Sequence, residues 1–184
     1  MVVFRCARLA ALLAVSCDAP ASDDAPGWDA VPTAAYCDEA REWQPQWTDA
    51  EEQLLALVNA RRAQGADCGT AGNFAASEPM TMNPKLRCAA RLHVADMAAR
   101  VFFDHTNPSG ESAFERIAQA GYAFSSAGEN IAGGSADAGE TLAQWMASDG
   151  HCSNIMNPGF VHLGAGYHPG GEHGHLWTQT FAAP

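Results

Sequence analysis

The residues best equipped for chemistry in this 184-residue chain are His105, Glu129 and His151. They sit in three polar segments, Phe102-Phe103-Asp104-His105-Thr106-Asn107-Pro108, Gly128-Glu129-Asn130-Ile131-Ala132 and Gly150-His151-Cys152-Ser153-Asn154-Ile155-Met156-Asn157-Pro158. Two neutral imidazoles and a carboxylate suffice to hold zinc or another divalent cation with positions left open. The same three groups could instead hydrogen-bond a ligand directly. Each also has a purely architectural use. Glu129 can cap backbone N–H groups in its glycine-flanked loop, and His151 can cap the helix before it.

Other chemistries lack their signatures. There is no G-x-S-x-G elbow, no H-E-x-x-H, no phosphate loop and no dinucleotide fingerprint. Ser109 and Ser112 lie near His105, but in a glycine- and proline-rich turn that does not by itself activate a hydroxyl. His93 falls on an apolar helical stripe and reads as a core histidine with a polar partner. His168, His173 and His175 flank a glycine-rich turn and read as solvated loop residues. A metal site there would lack a thiolate or a fixed carboxylate, although Glu172 stands beside it.

The elements that must position these residues follow from periodicity. Thr48-Asp49-Ala50-Glu51 has the form of a capping box ahead of Leu54, Leu57 and Val58, which predicts a first helix ending near Gly65. Asn83-Pro84 opens a second, with Leu86, Ala90, His93, Met97 and Val101 on one stripe. Ser112-x-x-Glu115, followed by Phe114, Ile117 and Ala118, predicts a third that stops at Gly121. A fourth starts near Asp137, gathers Leu142, Trp145 and Met146, and ends before Gly150. The tail then changes period: Val161 to Tyr167 and Leu176 to Phe181 read as a hairpin around Pro169 to Gly174, joined by a short strand near Glu129 to Ala132. Helices first and strands last argue for an α+β domain with an antiparallel sheet of three or four strands, not a βαβ succession.

Residues 1–16 have the order of an export signal: Arg5 and Arg8, the apolar run Leu9 to Val15, then Ser16-Cys17. Ala14-Val15-Ser16-Cys17 also resembles a lipobox, in which Cys17 would carry a lipid anchor; an ordinary cleaved secretory peptide is the alternative. Residues 17–47, rich in Asp, Ala, Pro and Ser, read as a tether and N-terminal extension whose end, with Cys37, Trp43 and Trp47, packs back on a domain spanning 48–184. The net charge is −11, and two of the ten cations lie in the export signal. Such a chain offers no basic stripe for phosphates, so nucleic acid is excluded as a partner. Cys37, Cys68, Cys88 and Cys152 contain no C-x-x-C pair and suggest two disulfides in an exported protein. Three pairings are open to them. Cys68 with Cys152 and Cys37 with Cys88 is favoured because the first pair would tie the first helix to the segment bearing His151.

An ordered set of motifs resembles the bacterial branch of the CAP superfamily of cysteine-rich secretory, antigen 5 and pathogenesis-related proteins. It consists of Val58-Asn59-x-x-Arg62, His93-x-x-Asp96-Met97, Phe103-x-His105, Gly128-Glu129-Asn130, Gly150-His151-x-x-Asn154-Ile155-Met156 and Trp177-Thr178-Gln179. The likeness runs from about Thr48 to Phe181. It implies a three-layer α-β-α sandwich with a central antiparallel sheet, and a cavity lined by two histidines and two acids. His105, His151 and Glu129 match three of these. At the fourth stands Ser148, followed by Asp149, and a hydroxyl is a poor substitute for a carboxylate towards a divalent ion. The function so implied is an extracytoplasmic binding module whose partner is a lipid, a cell-wall component or another protein. The alternative is a metal-dependent hydrolase with metal on His105 and His151 and Glu129 as general base.

Overall fold

The computed structural model describes residues 31–184. The expected export signal and the lipid anchor at Cys17 lie outside the described residues. In chain order, a 3-10 turn (Ala35–Cys37) and a short helix α1 (Asp38–Arg41) precede helix α2 (Pro45–Arg62). Small strands β1 (Ala66–Asp67), β2 (Asn73–Phe74) and β3 (Thr81–Met82) follow, then helices α3 (Pro84–Arg100) and α4 (Ala113–Gln119). Strand β4 (Ser126–Gly133), helices α5 (Ala138–Met146) and α6 (Asp149–Met156), and the hairpin of β5 (His162–Pro169) with β6 (His175–Ala183) complete the chain.

The main sheet has the order β3-β5-β6-β4. The long pairs β4–β6 and β5–β6 are antiparallel, as expected, whereas the two-residue edge strand β3 runs parallel to β5. Side-chain alternation along the strands divides the core between two faces. Leu163, Ala165, Tyr167, Trp177 and Phe181 pack with Leu54, Val58, Trp145 and Ile155 of α2, α5 and α6. On the opposite face, Leu176 and Ile131 meet Val94 and Met97 of α3. Helices therefore cover the sheet on both sides.

Helix α3 lies directly on β5. A Cβ added at Gly164 would stand 2.1 Å from the Leu86 carbonyl carbon, and one at Gly166 would stand 2.6 Å from that of Ala90. Two glycines on one strand face thus let helix backbone touch sheet backbone, and Thr180 donates its hydroxyl to the Leu86 carbonyl at 3.0 Å beside them. The start of α3 is as the sequence predicts, with the Asn83 side chain accepting from Lys85 N–H at 3.0 Å and Pro84 in the first turn. Its stripe is shorter than expected. Leu86, Ala90, His93 and Met97 are buried, but Val101 is 62% exposed because the chain turns left-handed there, at φ 55° and ψ 60°. For a β-branched residue that conformation costs roughly 1–2 kcal/mol.

Three further expectations change. Helix α2 begins at Pro45, one turn before the supposed capping box, because the fixed φ of proline suits a first helical position. Thr48 and Glu51 serve tertiary contacts instead. Glu51 is wholly buried against Arg91, at 2.6 Å, and Arg87, at 3.3 Å, and burial pushes its carboxyl up to about 7 against the pull of Arg91 and Arg87. In α4 the capping box of Ser112 and Glu115 forms, but the buried face is Ala113, Arg116, Ile117 and Ala120, with Phe114 turned to solvent. His151 is not a cap on the preceding helix; it lies in the first turn of a separate helix, α6.

The disulfides are Cys37–Cys88 and Cys68–Cys152, with Cα separations of 5.6 and 5.5 Å. The first fastens the N-terminal extension to α3, and the second ties the loop after α2 to α6. Motif residues prove architectural as well. Arg62 is buried and donates to the carbonyls of Glu78, Ile155, Asn157 and Phe160, closing the C-terminal ends of α2 and α6 together.

Because the atoms facing Gly164 are backbone and cannot swing aside, Gly164→Ala should destabilise the protein by about 3 kcal/mol or more. Gly150→Ala, with open space around it, should stay within about 0.5 kcal/mol of the parent. Urea unfolding of both variants checks the pair.

Candidate functional site

Strand β4 is the edge of the sheet, so its middle is reachable from both helical layers. Glu129 points towards α3 and α4, and its neighbour Asn130 points towards α6, by the alternation of a strand. The outward carbonyls of this edge are occupied by side chains. Asn154 donates to Glu129 O at 3.3 Å, and the Trp145 indole donates to Ile131 O at 2.9 Å. Asn130 in turn donates to the carbonyl of His151 and to Gln179, each at 3.2 Å. The Gly-Glu-Asn motif is thereby fixed from both sides.

The Glu129 carboxylate is 3% exposed and meets three cationic or ionisable groups. Arg116 Nη2 lies 2.9 Å from Oε2 and 3.1 Å from Oε1. His105 Nδ1 lies 2.9 Å from Oε1, and His93 Nε2 lies 3.8 Å from the same oxygen. Burial pushes the Glu129 carboxyl up, but the hydrogen bond from His105 and the charge and hydrogen bonds of Arg116 outweigh it and hold it below the usual carboxylate range. It is a carboxylate at any ordinary pH.

Arg116 organises this group. Besides Glu129 it donates to the carbonyls of His105 and Glu111, each at 2.9 Å, so one buried guanidinium fixes the loop that carries His105 as well as the carboxylate that orients its ring. His93, fully buried, donates Nε2–H to the carbonyl of Asp104 at 3.0 Å and steadies the same loop from beneath. Burial is the first reason that its ring is held neutral, down to about 4. The sequence reading of His93 as a core histidine thus stands, with the addition that it borders the site.

His105 is half exposed, with a side chain 52% accessible. Its Nδ1–H is committed to Glu129, which leaves Nε2 as the ring atom facing away from the protein's own partner. That hydrogen bond raises its pKa above the usual imidazole value, against the opposing effect of burial. Beside it a cavity of about 280 Å³ is lined by His105, Thr106, Ser112, Ala113, Phe114 and Glu129. Ser112 is occupied there as the cap of α4, its hydroxyl directed to Glu115 at 2.8 Å.

His151 stays outside this hollow. Its ring is half-buried, and its pKa is lowered by burial and by the charge of nearby His105. Asp149, the acid next to the vacant fourth position, is turned away, accepting from Thr70 N–H at 2.9 Å and from the Thr70 hydroxyl. Among the described residues no group of three or more His, Cys, Asp or Glu side chains is placed to hold a metal ion. With its carboxylate already neutralised by Arg116, the arrangement does not fit a three-ligand divalent centre. The turn histidines are likewise occupied by aromatic neighbours: His168 against Trp47, His173 against Phe103, and His175 bonded to the Tyr167 hydroxyl.

Sequence reasoning missed Arg116, and it placed Asn154 in a motif without giving it a role. A signal for Arg116 was present, since it lies on the face of α4 shared by Ala113, Ile117 and Ala120, and a cation on a buried face requires a buried anion.

Residues 55–181 match the cysteine-rich secretory protein family, CAP. The chain belongs to that family. Protein YkwD of Bacillus subtilis (strain 168) is 36% identical over 132 residues, 71% of this chain and 46% of its own length. Membrane protein YlbC of the same organism is 27% identical over 124 residues, 67% of this chain and 33% of its own. This chain therefore spans less than half the length of either relative. Among solved structures, an extracellular protein containing an SCP domain from Bacillus anthracis str. Ames superposes with a TM-score of 0.64 at 24% identity, covering 77% of this chain and 44% of that one. An outer surface protein from Borrelia burgdorferi superposes with a TM-score of 0.62 at 14% identity, covering 73% and 92%. Both share its fold.

Removing the cation from a buried pair strands the anion, so Arg116→Leu should destabilise the domain by about 3–5 kcal/mol. Glu129→Gln should move the titration of His105 from above about 6.5 to below it, because the bond that raises it is lost and burial remains. In the parent the stabilisation tied to protonated His105 is complete below the unfolded value and fades as pH rises through the folded one. The His105 Hε1 resonance, followed by NMR against pH, reads both forms.

Proposed function

We propose that this protein is an exported binding module in which the partner meets His105 at the small hollow beside Glu129. The observation that carries this reading is the division of labour around Glu129: the carboxylate is consumed by Arg116 and His105, and the imidazole is held with Nε2 left for an outside group. A carboxylate oriented in this way fixes a histidine's tautomer and raises the basicity of its free nitrogen. It is a poor general base, since its pKa is driven down and away from the working range of such a group. Glu129 therefore acts as a positioning residue, with His105 as the group that touches ligand and His151 outside the hollow.

Export through residues 1–16, with Cys17 as the lipid-bearing first residue, fits the two disulfides, which persist in oxidising compartments. The partner is a lipid, a cell-wall component or a protein of the envelope, and nucleic acid is disfavoured by the charge of −11. Zinc or another divalent ion is not assigned to this site, because Arg116 already neutralises Glu129 and His151 does not line the hollow.

His105 Hε1 should shift when the protein is titrated with at least one of three probes, namely envelope lipid vesicles, soluble muropeptides or peptides of envelope proteins. No product should accumulate with any of them, and protein purified from zinc-supplemented growth should hold well under one equivalent of metal. Silence of His105 towards all three classes would contradict the binding reading. Stoichiometric zinc with chelator-sensitive hydrolysis would replace it by the hydrolase.

A further inference from the structure

Arg116 has a second neighbour besides the Glu129 cluster. A cavity of about 580 Å³, lined by the N-terminal extension and one face of α3, has Arg116 in its wall. None of its lining residues lines the hollow beside Glu129. Leu92, Ala95 and Ala99 form its floor, at the three- and four-residue spacing that puts them on one side of the helix. Tyr36 and Glu39 come from the extension, and Glu111 from the loop before α4. The Cys37–Cys88 disulfide fastens the extension to α3, so this wall is fixed in place.

Two features of the cavity require a partner from outside. Arg116 is 1% exposed, and its Nη atoms are committed to Glu129 and to the carbonyls of His105 and Glu111. Its buried Nε–H has no acceptor among the described residues, and a buried charged donor without one is destabilising. The Glu111 carboxylate is the other feature. It is half-buried and accepts from neutral donors only, the Tyr36 hydroxyl at 3.1 Å and the side-chain amides of Asn107 at 3.0 Å and Gln119 at 2.6 Å. Asp38 and Asp96 are paired with Arg41 and Arg100, whereas Glu39 and Glu111 form no ion pair among the described residues.

Chemistry selects the occupant. Unpaired carboxylates recruit a cation, and the Nε–H requires an oxygen acceptor. A bare metal ion offers no acceptor, and among the described residues no three His, Cys, Asp or Glu side chains converge to hold one. An alkyl amine lacks the oxygen, and a neutral sugar lacks the charge. Phosphates and carboxylates are repelled, since Asp38, Glu39, Asp96 and Glu111 all line the cavity. An amine that also carries hydroxyl groups meets both demands.

We propose that this cavity binds a hydroxylated primary ammonium, the chemistry of a non-acetylated amino sugar. Its ammonium faces Glu39 and Glu111, and a hydroxyl oxygen accepts from Arg116 Nε–H. The site is separate from the hollow of His105 and does not rest on the reading of that hollow.

The test is calorimetric titration of the disulfide-bonded protein with a glucosamine trimer at about pH 6, where amines are charged. Saturable binding tighter than about 1 mM is expected. The N-acetylated trimer lacks the charge, spermidine lacks the oxygen and maltotriose lacks the nitrogen, and each should bind at least about tenfold more weakly. Glu39→Gln, and Ala95→Met, which fills the floor, should each weaken binding by about threefold or more at an unchanged melting temperature. If Ala95→Met does not fold, Ala99→Met makes the same test from an exposed position on the same floor. Glu78→Gln removes an exposed charge outside the cavity and should leave the affinity unchanged, which separates the site from the general attraction of an acidic surface. The Arg116 Nε–H resonance should shift on binding. No binding, equal binding of any of the three control ligands, equal losses in Glu39→Gln and Glu78→Gln, unchanged affinity with the floor filled, or a still Nε–H resonance at saturation would overturn the proposal.

Discussion

One buried ion pair constrains everything around the site. Arg116 and Glu129 are almost completely removed from water and lie 2.9 Å apart. Neither charge could be tolerated there alone, since an unpaired buried ion carries a desolvation penalty of several kcal/mol. Satisfying the terminal N–H donors of the guanidinium brings the carbonyls of His105 and Glu111 onto Nη2 and Nη1, and this holds the loop between α3 and α4 in place. The position of the half-exposed imidazole is thus a consequence of electrostatics beneath it. His105 reaches the surface in one orientation because a carboxylate it cannot leave holds its Nδ1.

A second buried cluster plays the corresponding part between α2 and α3. Glu51 is clasped by Arg91 and Arg87, and it also receives the Tyr167 backbone N–H at 3.3 Å. Helix α3 carries Arg87, Arg91 and His93 along its length, so one helix delivers cations to the first carboxylate and a neutral ring to the second. Its backbone can approach the sheet closely enough for this only because Gly164 and Gly166 present no side chain. Packing and electrostatics are consequently not separable here. The glycine face on β5 sets the depth of α3, and the depth of α3 decides which polar groups reach Glu51 and Glu129.

Much of this arrangement was legible in the residues. The period of α3, the capping box of α4 and the hairpin of β5 and β6 follow from local patterns that burial reinforces, whereas the cysteine pairing was one favoured choice among three and is settled only by the fold. Legibility failed where tertiary contacts reassign local signals. Thr48-x-x-Glu51 has the form of a cap, but a carboxylate that meets two arginines is worth more inside the domain than at a helix end. Val101 continues an apolar stripe in sequence and leaves it in space because the helix ends one residue earlier. At the site, His105 and Glu129 could be singled out by residue type and motif order. The partner of Glu129 could not, because pairing across the loop between α4 and β4 has no periodic signature. Only the burial of an arginine on the inner face of α4 hinted at it.

His105 is held through Nδ1–H by a carboxylate that Arg116 keeps ionised, so its Nε2 is unprotonated when the ring is neutral. Long-range ¹H–¹⁵N correlation spectra of the full domain at alkaline pH assign the tautomer of each histidine ring. The expected result is the Nδ1–H form for His105 and the Nε2–H form for His93. An Nε2–H tautomer at His105 would contradict the whole scheme.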